Sequence, residues 1–451
     1  METETRWTAD QVLGLAPDAA SQKAGGKLAT PAPWSGTGAA GTAVWGLCKG
    51  SGRTPYQTVV DTRGPAYRCT CPSRKFPCKH ALALLLLWAE GAKGPIPAAG
   101  PAGGEPEWVA EWVAARRQKD ERARQAEPGG ESSRRSGPAD TEAARRRAEQ
   151  RAVRVEGGAS ELEQRLVDLL RGGLAGADRD GMRPFDETAA RMVDAQAPGL
   201  AARVRELGST AASGGDWPAR MLEEAALLHL LAKGFLGREA LPEPLVDTVR
   251  TRVGFTVDAA EVLAGPRVRG RWLVAARYDT ADDRLTTRRV WLREEGSGQC
   301  ALVLSFGAAG RAPELALPVG VVLDGEVAFH RAAVPLRVEL GPHRVEAAVS
   351  DVPVGTGVGA ALDAYGDALA HDPWLDAWPV LLSGVVPVPG RERWQLADAE
   401  SPDAVPVVGP APWRLAALSG GGPLTVFAEL TPVGARPLTA WASPIPTPLA
   451  A

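Results

Sequence analysis

Three of the chain's five cysteines and one of its five histidines fall within twelve residues, Cys69-Thr70-Cys71-Pro72-Ser73-Arg74-Lys75-Phe76-Pro77-Cys78-Lys79-His80. Thiolate sulfur and imidazole nitrogen are donors that Zn2+ takes, and Cys3His is a standard tetrahedral set. The spacing is C-x-C, six residues, then C-x-H. Side chains alternate along a strand with period 2, so a C-x-C pair at a strand end points both sulfurs to one face. The C-x-H pair comes from a turn leading into the apolar helix written in ALALLLLWAEG. Pro72 and Pro77 fix φ in the intervening loop and reduce the entropy lost when it closes on a metal. Four donors leave no position for water, so the zinc is expected to be structural rather than catalytic. Three thiolates and a neutral imidazole around Zn2+ leave one net negative charge. Arg68, Arg74, Lys75 and Lys79 can offset it, and the same cations lower the thiol pKa values. A disulfide is the weaker alternative, because nothing in the chain suggests export.

At Cys69, Cys71, Cys78 and His80 the chain resembles the SWIM zinc-finger family, and it is similar to the family's bacterial members. The family's signature is C-x-C, a variable gap, then C-x-H. The resemblance extends upstream through WGLCKGSGRTPYQTVVD and downstream to about Glu90. It implies a Zn2+ cofactor and a small ββα-type module that binds DNA or protein. SWIM proteins of this layout are often encoded near MoxR-type ATPases, which implies an adaptor or client role beside such an ATPase.

The elements that must position this motif are short. A Thr-capped helix is predicted over residues 8–20, then a Gly/Pro/Ser-rich loop around Thr30 to Gly41. Three strand-like runs follow, Ala43–Cys48, Tyr56–Asp61 and Ala66–Thr70, joined by KGSGRTP and TRGP turns. The third strand delivers Cys69 and Cys71. Ala81–Ala89 is apolar on nearly every face and is expected to lie buried against the sheet. Cys48 reads as packed core, since free cysteine behaves as a small hydrophobe.

Residues 1–92 are therefore expected to form the zinc-stabilised domain and 93–159 a linker with charged helices. A helical region over 160–254 and a predominantly β domain over 255–451, sandwich or barrel-like, complete an α+β multidomain chain. In the linker, Trp108 and Trp112 share one face of a helix over 106–127. Residues 128–140 suit disorder, and helix resumes near Thr141. Between Arg116 and Arg154 stand 12 Lys/Arg against 7 Asp/Glu, a solvated charged face or a phosphate-binding arm. SELEQRLVDLL opens with a capping box at Ser160 and Glu163. His229 reads as a core or groove histidine. One helical insertion is expected in the β region, over 361–378.

Formal charge is −3 on 451 residues, so no global basicity points to nucleic acid. Residues 1–95 nevertheless hold 11 Lys/Arg against 6 Asp/Glu. Arg53, Arg63, Arg68, Arg74, Lys75 and Lys79 gather around the motif, as a local phosphate-binding patch requires. The candidate ligand contacts are Arg68, Arg74, Lys75, Phe76 and Lys79. The scarcity of basic excess elsewhere, and exposed tryptophans, would suit protein partners. METETRWTAD does not read as a signal peptide, and no run approaches a membrane span, so a cytoplasmic chain without membrane contact is expected.

No active site can be argued. KGSGRTP lacks the Walker spacing, His330, His343 and His371 lack a nucleophile signature, and Cys300 reads as a packed strand residue. Asp372 beside His371, and the Asp282–Asp283 pair, read as solvated loop. The expectation is a non-enzymatic zinc-binding adaptor for protein partners. A DNA- or RNA-binding regulator is the alternative, and an enzyme or thiol redox switch the remaining rival.

Overall fold

The computed structural model describes residues 7–449 apart from 51, 53, 63–65, 74, 76, 92–93, 97–103, 126–137, 175–180, 211–215, 283–284, 309–312, 314, 316 and 349–350. It opens with α1 (Ala9–Leu13) and α2 (Ala19–Leu28). The single helix predicted over 8–20 is broken at Pro17–Asp18. Asp18 caps α2 instead, its carboxylate accepting from the Ser21 N–H at 2.7 Å.

An antiparallel meander follows, β1 (Trp34–Ala40), β2 (Ala43–Cys48), β3 (Tyr56–Asp61) and β4 (Ala66–Cys69), paired in chain order. β1 occupies the segment read as a loop. Its glycines hid it: Gly36 takes φ +56°, and the register against β2 slips between Ser35 and Gly38. Pairing with β2 outweighs the low strand propensity of WSGTGAA. Gly46 permits the fit, since a Cβ there would stand 2.9 Å from the Trp34 ring.

Behind the sheet lies α3 (Lys79–Ala89), in which every residue from His80 to Trp88 is buried. One side packs on Val44, Cys48 and Val60; the other is covered by Trp7, Val12 and Leu15 from the α1 region. α2 crosses closely because Gly25 lacks a Cβ, which would sit 2.9 Å from Leu82 Cβ. The opposite sheet face is covered too. Trp108, Val109, Trp112 and Val113 of α4 (Glu107–Gln125) pack on Ala43, Trp45 and Val59, and Arg116 reaches Asp61 at 3.3 Å.

Helix α5 (Pro138–Gly172) runs unbroken through Ser160, so the capping box does not start a helix. Val155, Ala159, Leu162 and Leu166 form one apolar stripe, and Gly158 lets Ala195 approach closely; this packing carries the helix past the box. Most of the stretch assigned to disorder, to residue 137, lies outside the described residues. α6 (Arg183–Asp194), α7 (Pro198–Thr210), α8 (Trp217–Leu236) and α9 (Glu243–Val253) complete the helical core, and the short α10 (Ala259–Ala264) leads out. His229 is half-buried, with Nε2 3.8 Å from Glu163.

The C-terminal region opens with a closed barrel of β5 (Arg267–Ala281), β6 (Leu285–Glu294), β7 (Cys300–Ala308), β8 (Val321–Phe329) and β9 (Arg337–Ala348), ordered β5-β6-β7-β9-β8. After α11 (Val358–His371) come β10 (Trp378–Pro389), β11 (Trp394–Asp398), β12 (Ala404–Pro406), α12 (Trp413–Ser419), β13 (Leu424–Thr431), β14 (Gly434–Trp441) and β15 (Thr447–Pro448). Their six strands form one sheet, β12-β11-β10-β13-β14-β15. Barrel and sheet share an apolar interface in which buried Glu429 accepts from Tyr278 at 2.6 Å and Trp291 at 2.7 Å.

The insertion predicted over 361–378 ends at His371. Asp372 is not solvated loop but a buried ion-pair member, 2.8 Å from Arg252, and Trp374 enters the helical core with Nε1 donating to the Leu227 carbonyl. Nor are the tryptophans mainly exposed. Trp7, Trp45, Trp88, Trp272, Trp291 and Trp441 are buried, while Trp413 is 69% exposed. The N-terminal sheet meets the barrel where Arg277 of β5 donates to the Gly14 carbonyl, beside Tyr67 of β4. Among the described residues no helix is long and apolar enough to cross a membrane.

Candidate metal centre

β4 ends at Cys69, and Cys71 follows one residue beyond Thr70. Cys78 is the N-cap of α3 and His80 lies in its first turn, so the start of one helix supplies both remaining donors. The four ligand atoms of Cys69, Cys71, Cys78 and His80 lie within 4.8 Å of one another. His80 Nδ1 is 3.7 Å from Cys69 Sγ and 4.0 Å from Cys78 Sγ. Tetrahedral Zn2+ with bonds of about 2.1–2.3 Å requires donor separations of about 3.5–3.8 Å, so this cradle closes on the ion with small adjustment.

Neighbouring side chains hold the donors in place. The His80 ring packs on Tyr56 with centroids 4.9 Å apart. Thr58, fully buried and opposite Cys69 in the β3–β4 register, places its hydroxyl 3.3 Å from that sulfur. Contacts of this kind orient metal ligands and tune their charge. The motif alone did not reveal Thr58 or Tyr56. Extending the hairpin register back from Cys69 would have found Thr58.

The protons are shared unequally. The Cys78 thiol donates toward Cys69 and Cys71, which, against opposing burial, holds Cys69 at a pKa of about 4 and Cys71 at about 6. Cys78 is pushed far up, first because its hydrogen bond to Cys69 requires its proton, then by the bond to Cys71 and by burial. Burial opposes charge on His80, but the Cys69 and Cys71 thiolates outweigh it and raise the ring above its ordinary value. The cradle thus gathers negative charge around a central proton, the place a dication would take.

Residues 56–89 match the family model of the SWIM zinc finger. This chain carries a SWIM zinc finger. Residues 150–253 match the SWIM-associated four-helix bundle domain, from within α5 to the end of α9. No curated protein and no solved structure gives a significant match.

Around the SWIM finger, Arg68 on β4 and Lys79 at the start of α3 are exposed. Lys75 is engaged, its ammonium 2.6 Å from Asp18, and this hydrogen bond holds the Asp18 carboxyl at about 2. Arg53, Arg63, Arg74 and Phe76 lie outside the described residues. Cys48 is buried in β2 and is not one of the four clustered donors, and burial raises its thiol pKa. Cys300 packs on β7, with burial pushing its thiol up to about 12.

Proposed function

We propose that this chain is a zinc-stabilised, non-enzymatic adaptor whose folded surfaces assemble protein partners, with the SWIM finger as a structural unit. The enclosure of α3 carries the reading. A helix that reads duplex DNA must offer one face to the major groove. From His80 to Trp88 this helix has none to offer, being covered by the sheet and by the residues around α1 and α2. α4 covers the second face of the sheet, leaving the finger its loops and strand edges. Four close donors also leave the metal no position for a reacting water, which argues against zinc catalysis. A MoxR-type ATPase is one partner that the family resemblance puts forward.

A nucleic-acid reading draws on exposed Arg68 and Lys79 beside the metal cradle. The experiment that separates the two is affinity capture of the tagged full chain with and without nuclease, paired with duplex DNA titrations at two salt concentrations. The adaptor reading expects nuclease-resistant capture of the same partners and weak, nearly salt-independent duplex binding. Nuclease-sensitive capture, with a log–log salt slope near −0.9 per phosphate neutralised, would overturn it.

A further inference from the structure

Far from the finger in sequence, the C-terminal sheet region carries an aromatic pair of which one member, Trp394, is half-buried and the other, Trp413, is exposed. Trp394 begins β11 and Trp413 begins α12. Their rings meet edge to face, centroids 5.1 Å apart at 77°, and Trp413 is 69% exposed. The indole face left bare is large and rigid, in a chain that buries most of its other tryptophans.

Charge gathers at the same end. Arg391 and Arg393 lie in the turn between β10 and β11, closed by the Gly390 N–H on the Arg393 carbonyl, and Arg414 follows Trp413. All three are exposed, and among the described residues none of their guanidinium groups has an ion pair or hydrogen bond. Other arginines of the β region behave differently: Arg271 holds Glu295 and Glu346, and Arg331 holds Glu243 and Asp247. Glu392 offsets one positive charge. Asp398 and Asp403 stand at the other end of β11, about 13 Å away, Asp398 accepting from the Val358 N–H at the start of α11 and both engaged in local turn hydrogen bonds.

We infer that Trp394, Trp413, Arg391, Arg393 and Arg414 form a binding site for single-stranded nucleic acid. Every base has a π-face, so an exposed indole stacks unpaired bases without regard to sequence while nearby cations track the phosphates. A duplex keeps its bases stacked inside and would leave the indole idle. A protein hot spot is the competing occupant, but such spots sit within an apolar, water-excluding surround. The exposed residues on either side of these tryptophans are glycine, proline, alanine, glutamate and arginine, with no large aliphatic among them.

The test uses the full chain and fluorescein-labelled deoxythymidine and uridine homopolymers of about 12 nucleotides, read by anisotropy and tryptophan quenching. Trp413→Ala should weaken binding about tenfold or more, and Trp413→Phe should restore most of it. Arg391→Gln with Arg393→Gln should make the log–log salt slope shallower by about 1.4, at about 0.7 per single-strand phosphate. The exposure of these side chains predicts unchanged melting. Zinc content should not move, which keeps this test separate from the reading of the finger. No binding at low salt overturns the inference, as does binding indifferent to Trp413→Ala or equal affinity for duplex. Tryptophan quenching by an acidic peptide but not by oligonucleotides would assign the patch to a protein and also overturn it.

Discussion

Zinc uptake should depend on pH with a slope that reports how the cradle shares its protons. Metal binding requires three thiolates and a neutral imidazole, so every proton still held by the free site must leave. In an unstructured segment all three thiols would titrate near 8.5 and would have to give up about three protons at neutral pH. Here Cys69, held at about 4, and Cys71, at about 6, have already ionised by pH 7. Cys78 keeps its proton for Cys69, and the two thiolates favour the protonated form of His80, which can hold one more. Uptake should then release between about one and two protons. Because the free site binds more protons than the loaded one, affinity must fall as pH falls. The expected loss is about 10- to 100-fold per pH unit around neutrality. It should steepen below about pH 6, where Cys71 also carries a proton. Competition against a chromophoric chelator across pH 5.5–8, with calorimetry in two buffers of different ionisation enthalpy, measures the number directly. Release of three or more protons at pH 7 would mean that the thiols have ordinary pKa values and that the cradle is not formed before the metal arrives. An affinity flat in pH would refute the proton sharing altogether.

The full chain should carry about one zinc; Cys78→Ala should lose it and Cys48→Ala should keep it, by elemental analysis of protein prepared without chelator. Leu84→Ala removes a fully buried side chain of α3 and should cost about 2–5 kcal/mol in chemical denaturation of the N-terminal region. Arg252→Met leaves the Asp372 carboxylate buried without its partner and should destabilise the helical core by about 3–5 kcal/mol. Adding Asp372→Asn should recover most of that loss; if it does not, the cost lies in packing rather than charge.

The metal ligands were legible because coordination chemistry restricts both residue type and spacing, and the three strands and apolar helix around them were legible from their periodicity. β1 was not, because its glycines carry no side-chain pattern and its pairing with β2 is a tertiary fact. The same limit applies to α5, whose apolar stripe at Val155, Ala159 and Leu162 outweighs the local start signal at Ser160. Asp372 read as solvated loop and Trp374 as part of the helical insertion because their partners, Arg252 and Leu227, lie more than a hundred positions away. The closed barrel was visible only as a run of strands, since the parallel contact of β7 with β9 that closes it leaves no local trace.

The residues shared with the SWIM family cover β3, β4 and α3, but those elements alone would leave apolar surface bare on both sides. This chain closes one side with Trp7, Val12 and Leu15 and the other with Trp108, Val109 and Trp112. In this chain the matched segment is thus a metal cradle rather than a free-standing domain, and residues outside it supply its lids. A fragment cut at residue 92 would expose Trp45 and Val59 and should self-associate, whereas one carried past Arg116 keeps that face covered. Grafting the finger elsewhere would require the recipient to cover the outer side of α3 and the sheet face that α3 leaves open.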